Sequence, residues 1–205
     1  MIRAIVFDFG RVITAQKPES LFRLYEEDLG LAPGSLNTLM FESQAWREAL
    51  LGDKSFEEFW IAIGPAIGLD TAEAIHAFRS RYMADEAVNR EVLQLIQRLH
   101  GHYKLGVLSN SPPGLAQWLR EWGILDLFDV VFCSGDEGVA KPDPAAFVAT
   151  LERLGVERGS AVFIDDTPEN VEAARSLGIP SILFTDYREL ASELAAFVDP
   201  HLVEG

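Results

Sequence analysis

The 205-residue chain is 48% hydrophobic and 24% charged, with a formal net charge of −15. That mixture describes a globular protein of one sizeable domain, or a domain carrying a small second one, rather than a disordered chain. The acidic balance argues against a nucleic-acid binder, and apolar runs as short as Ile5-Val6-Phe7 fall far below the roughly 20 residues that span a bilayer.

Met1-Ile2-Arg3 leads straight into a strand-like run, so no signal peptide is expected. A single cysteine, Cys133, allows no internal disulfide and fits a reducing, cytoplasmic setting. Arg3 to Asp8 reads as a short buried strand ending in a carboxylate. Residues 15–86 then show helix signals and no convincing strand. Leu21, Leu24, Tyr25 and Leu29 form an apolar face before Gly30. Ser55 with Glu58 and Asp70 with Glu73 have capping-box spacing, and Ile75, Phe78 and Tyr82 continue the last helix. Four or five helices are expected here, with Gly64 to Gly68 as a break and with Trp46 and Trp60 in the packing. A minor alternative turns one of these tryptophans, or Arg47 or Arg79, toward a substrate.

From residue 87 onward strands and helices alternate. Val88, Val92, Leu95 and Leu99 make one helical stripe, closed by Gly101 and the helix-end pair His100 and His102. Lys104 to Ser109 is a strand, followed by a stripe of Leu115, Leu119 and Trp122. Val130 to Cys133 is the next strand. Asp143-Pro144 starts a helix that Gly155 ends, and Ser160 to Ile164 and Ser181 to Phe184 complete the strands. These strands are near-continuous apolar runs, as in sheets buried on both faces. The pattern predicts an α/β protein with a parallel sheet, interrupted after its first strand by a helical insert.

In a parallel sheet the carboxyl ends of the strands share one edge, where ligands bind. That edge collects Asp8, Ser109-Asn110 and Asp165-Asp166, with Lys141 in the loop after the third strand. Singly, such residues are ordinary caps and turns, and Asp143 and Thr167 are expected to be caps. Together they carry a cost. Two carboxylates about 4 Å apart repel by roughly 4 kcal/mol at an effective dielectric near 20. Protons or a cation must neutralise such a cluster, and hard oxygen donors without cysteine or histidine favour Mg²⁺. A magnesium ion beside a lysine and a hydroxyl is a phosphate site.

Four stretches resemble the motifs of the haloacid dehalogenase-like hydrolases. They are Ile5 to Ile13 around Asp8, Leu105 to Asn110, Lys141-Pro142-Asp143-Pro144, and Phe163 to Asn170. Order, spacing and placement at strand ends all agree. The resemblance implies a Rossmann-like core over residues 1–14 and 87–205, with a helical cap over 15–86. It implies that Asp8 attacks phosphorus to form an aspartyl-phosphate, and that Ser109 and Lys141 hold the phosphoryl oxygens beside Asn110. Asp8, Asp166 and the Gly10 carbonyl would bind Mg²⁺, with Asp165 close by or acting through water. The substrate would be a small phosphorylated metabolite.

One departure matters. Most phosphatases of the family carry a second aspartate two residues after the nucleophile as general acid and base, where this chain has Gly10. That group typically contributes about 10²–10⁴-fold. Its loss disfavours a phosphomutase and points to a good leaving group, such as an anomeric sugar phosphate; the pattern is similar to that of sugar-1-phosphatases. Arg11 or a cap residue would supply a proton donor or hydrogen bond instead. Two alternatives remain: a non-catalytic phosphate-binding protein, or, less in keeping with Asp165-Asp166, a haloacid dehalogenase.

Overall fold

The computed structural model describes residues 1–203. Five parallel strands form one sheet in the order β3-β2-β1-β4-β5: Ala4–Phe7 (β1), Lys104–Ser109 (β2), Val130–Cys133 (β3), Ala161–Asp165 (β4) and Ser181–Leu183 (β5). Alternate residues of each strand enter different layers. Ile5 and Phe7 of β1 pack with Val107, Val162 and Ile164 against helices α6 (Arg90–Leu99), α7 (Leu115–Glu121) and α11 (Tyr187–Leu194). Ala4 and Val6 pack with Leu108, Phe132 and Phe163 against α9 (Pro144–Leu154) and α10 (Pro168–Ser176) on the other face. Both faces are covered, which is why the strands read as unbroken apolar runs.

Between β1 and α6 the chain makes five helices: α1 (Glu19–Leu29), α2 (Ser35–Phe41), α3 (Gln44–Leu50), α4 (Phe56–Ile63) and α5 (Ala72–Ala84). They share a core of their own, centred on Tyr25, Met40, Phe59, Trp60 and Phe78. The Glu26 side chain is buried there, accepting from the backbone N–H groups of Gly34 at 2.8 Å and Leu36 at 2.9 Å, so α1 caps the start of α2. Ser55 and Glu58 form the expected capping box. Asp70 does not cap α5: Thr71 does, its hydroxyl accepting from Ala74 N–H, because the helix begins at Ala72 and the capping residue must directly precede it.

The chain leaves and re-enters the sheet layer through one narrow neck. Ala15 N–H donates to the Ala87 carbonyl at 2.7 Å and Asn89 N–H to the Ile13 carbonyl at 2.8 Å. A second contact closes the far side, where Gly52, at φ +82°, lies against the carbonyl of Gly135 in α8 (Ser134–Glu137). A Cβ on Gly52 would sit 2.4 Å from that oxygen. No helix among the described residues is long and apolar enough to cross a membrane.

Gly52→Ala is expected to lower stability by about 1–3 kcal/mol, combining positive-φ strain with the clash. A fall in the urea midpoint measures it, and limited proteolysis should show faster cleavage within residues 15–86.

Candidate active site

β1 is the central strand, flanked by β2 on one side and β4 on the other, so the chain order reverses around it. Such a switch point opens a crevice at the carboxyl ends of the strands. Asp8 follows β1 directly, Ser109 ends β2 and Asp165 ends β4. All three are buried, as is Lys141, which is 4% exposed.

Lys141 lies between two carboxylates. Its Nζ donates to Asp8 Oδ1 at 2.6 Å and to Asp165 Oδ2 at 2.5 Å. Burial alone would lower the lysine pKa, but the charges of Asp8 and Asp165 outweigh it, and the net direction is upward. The ammonium is therefore firmly charged. Asp8 is pushed up to about 6, first by burial and also by Asp165 and Asp166, against the pull of Lys141. Asp166 is raised as well, again chiefly by burial, with the neighbouring Arg11 opposing.

Two amides fix this ion pair. Asn110 accepts from Lys141 N–H at 2.8 Å and donates to the Lys141 carbonyl at 2.7 Å, so both ends of its side chain hold the lysine backbone. Asn170, one turn into α10, donates to both oxygens of Asp165 at 3.2 and 3.1 Å. Thr167 N–H adds a bond to Asp165 Oδ1 at 2.8 Å. Asp165 is thereby engaged on both oxygens and serves to orient Lys141. Thr167 stands at the N-cap position of α10 without a side-chain cap bond, since its hydroxyl turns to Asp166 instead. Asp143 caps α9 as expected.

Arg11 meets Asp166, with Nη2 to Oδ2 at 2.7 Å. It lies in an irregular turn over Phe9–Ile13 at φ +59°, a left-handed conformation unusual for a side-chain-bearing residue, and its N–H is held by Thr14 Oγ1 at 2.8 Å. Gly10, by contrast, has φ −66° and ψ 127°, which any residue adopts, and a Cβ there would be 3.8 Å from Asp8 Oδ2. Neither backbone strain nor crowding explains glycine at this position.

Asp8, Asp165 and Asp166 offer carboxylate oxygens that all lie within 4.8 Å of one another. Among the described residues the cations paired with these three acidic groups are Lys141 and Arg11, so the donor set suits an added divalent cation, and oxygen-only ligation suits magnesium. Asp8 and Asp166 of this cluster lie in the lining of a cavity of about 850 Å³, together with Gly10, Arg11, Ser109 and Lys141, while Asp165 is fully buried behind them. Trp46 and Trp60 both line the cavity from the helical side. Arg47 instead donates to the Glu42 carbonyl, and Arg79 lies over the Phe56 ring. Asn170 was the least visible member of the site in the sequence. Its signal was its position five residues after Asp165, one turn into the following helix.

A model of the haloacid dehalogenase-like hydrolase family matches residues 2–178. The chain is 27% identical over 201 residues to a sesquiterpene phosphatase of Aspergillus oryzae, covering 96% of each. It is 28% identical over 198 residues to a drimenol cyclase of Aspergillus calidoustus, covering 95% of this chain but spanning only 36% of that relative. Among solved structures it is similar to a Bacteroides thetaiotaomicron HAD family enzyme in complex with magnesium and inorganic phosphate. There the TM-score is 0.74 at 21% identity, over 93% of this chain and 99% of that one.

Lys141→Met is expected to cost about 3–5 kcal/mol in metal-free buffer, because two buried carboxylates lose their partner. Urea unfolding measures it. The double variant with Asp8→Asn should recover part of the loss, having removed one of the stranded charges.

Proposed function

The chain belongs to the haloacid dehalogenase-like hydrolases, and we propose that it is a magnesium-dependent phosphatase that transfers a phosphoryl group to Asp8. The observation that carries this reading is the convergence of Asp8, Asp166 and the doubly paired Lys141 on the floor of one cavity. We assign residues 1–14 and 87–205 to the catalytic core and 15–86 to a cap over it.

Asp8, Asp166 and the Gly10 carbonyl would hold Mg²⁺, with Asp165 standing behind them; the ion supplies charge neutralisation for the phosphoryl oxygens. A carboxylate oxygen of Asp8 bonds to phosphorus as the bond to the departing alcohol oxygen breaks, giving an aspartyl-phosphate. Water then attacks that phosphorus, frees inorganic phosphate and restores Asp8. Ser109 and Lys141 steady the phosphoryl oxygens throughout, and their fixed positions matter more than any covalent assistance. Asn110 acts by holding Lys141 in place.

The proton for the departing alkoxide cannot come from position 10. Arg11, already beside Asp166, carries the hydrogen-bond-donating side chain of this turn. The arrangement favours leaving groups that depart with little help. Anomeric sugar phosphates meet that condition, as do esters of acidic alcohols. The buried free thiol of Cys133 accords with a cytoplasmic setting.

With Mg²⁺, the protein should release nitrophenolate from p-nitrophenyl phosphate, and a chelator should abolish the reaction. Asp8→Asn should lower kcat by about 10⁴-fold or more; retained turnover would place the nucleophile elsewhere. Gly10→Asp, which the backbone accepts, should speed hydrolysis of simple alkyl phosphates by about tenfold or more while changing p-nitrophenyl phosphate little. Equal effects on both esters would contradict the leaving-group account.

A further inference from the structure

The phosphoryl floor accounts for a small part of the cavity. A phosphate, a metal ion and the polar groups around Asp8 leave most of the 850 Å³ between the strand edge and the helices. That remainder is walled chiefly by Phe22, Trp46, Phe56, Trp60, Tyr82 and Trp118. The wall is continuous across the two halves of the protein. Phe56 of α4 meets Trp118 of α7 edge-on with ring centroids 5.5 Å apart, and Trp118 lies 6.1 Å from Phe9, the residue next to the nucleophile. On the helical side Trp46 contacts Phe59 at 5.1 Å, and Tyr82 contacts Trp60 at 5.4 Å.

Polar side chains line this space too, Gln16, Asn37 and Glu169 among them, but the aromatic and aliphatic ones outnumber them. Lys17 pairs with Glu86 and sits over the Tyr82 ring at 4.3 Å. Trp60 Nε1 is buried without a hydrogen-bond partner. A hexose carries several hydroxyls, and each one buried without a partner costs about 1–3 kcal/mol. An apolar leaving group faces no such penalty and gains from leaving water.

We infer that the departing group is bulky and apolar as well as readily released, so that the substrate is the phosphate monoester of an acidic, hydrocarbon-bearing alcohol such as a phenol rather than of a sugar. This deepens the phosphatase reading and rests on it for the chemistry at Asp8. The cavity thereby separates two tasks. Charged groups on the floor hold the phosphate, whose chemistry is the same in every ester, and the aromatic wall selects what is attached to it.

A homologous series of 4-n-alkylphenyl phosphates, from methyl to hexyl, tests this on the wild-type protein with Mg²⁺. The phenol leaves equally well throughout, so only apolar bulk changes. The expected kcat/KM rises about two- to fourfold per methylene until the wall is reached, and every member exceeds the hexose 1-phosphates. A flat or falling series, or a hexose 1-phosphate that outperforms the hexyl member, overturns the inference. Binding of the matching non-hydrolysable 4-alkylphenylphosphonates, read by calorimetry, separates this result from the parent reading. Should no ester turn over, the phosphatase reading fails. Affinity that tightens with chain length would still support an apolar-tailed phosphate ligand, and affinity independent of chain length would overturn it.

Discussion

The buried ammonium of Lys141, shared between Asp8 and Asp165, is the contact on which the rest of the site depends. Taking three ionised groups out of water costs several kcal/mol each, and the cost is met only where geometry is close and the remaining donors and acceptors are filled. Here they are filled from separate parts of the chain. Asn110 after β2 grips the lysine backbone, while Asn170 and Thr167 at the start of α10 satisfy Asp165. Three strand ends and two loops are thereby held in register. The sheet places these groups within reach, and the ion pair sets their final positions.

The same triad leaves an imbalance that suits the proposed chemistry. Asp8 is raised to about 6 mainly by burial, and Asp166 is raised for the same reason, so the site favours any species that brings positive charge. Arg11 partly supplies it at Asp166, from a backbone conformation that costs on the order of 1 kcal/mol for a residue with a side chain. Strain of this kind persists where surrounding contacts over-determine it, and here Thr14 and Asp166 hold both the backbone and the guanidinium. Gly10 stands between Phe9 and this arginine with neither strain nor crowding, which makes the missing carboxylate a chemical feature of the site and not a steric necessity.

Above the charges the helical block contributes shape and dielectric. Its own core, built on Tyr25, Phe59 and Trp60, makes it a stable wall, and the neck at residues 13–15 and 87–89 ties it to the turn that carries Arg11. An apolar roof over a charged floor lowers the local dielectric, and electrostatic interactions on the floor strengthen accordingly. The roof and the phosphoryl site are thus parts of one device. On the proposed reading its specificity resides in side chains from α4 and α5 and in Trp118 of α7, remote in sequence from Asp8.

The amino-acid sequence by itself determined the sheet, the helical insert after its first strand and the convergence of Asp8, Ser109, Lys141, Asp165 and Asp166. Apolar runs of strand length and polar residues at their ends are local signals, and in a parallel sheet every such end must face the same edge. Tertiary structure decided what those residues do to one another. That Asn110 clamps Lys141 and that Asn170 braces Asp165 depends on distances between segments separated by 31 residues and by one helical turn. The character of the cavity was equally hidden. A tryptophan or phenylalanine in an amphipathic helix has the same spacing whether it fills a core or lines a cavity. Only the packing of α4 against α7 across the strand edge turned Phe56 and Trp118 into facing walls.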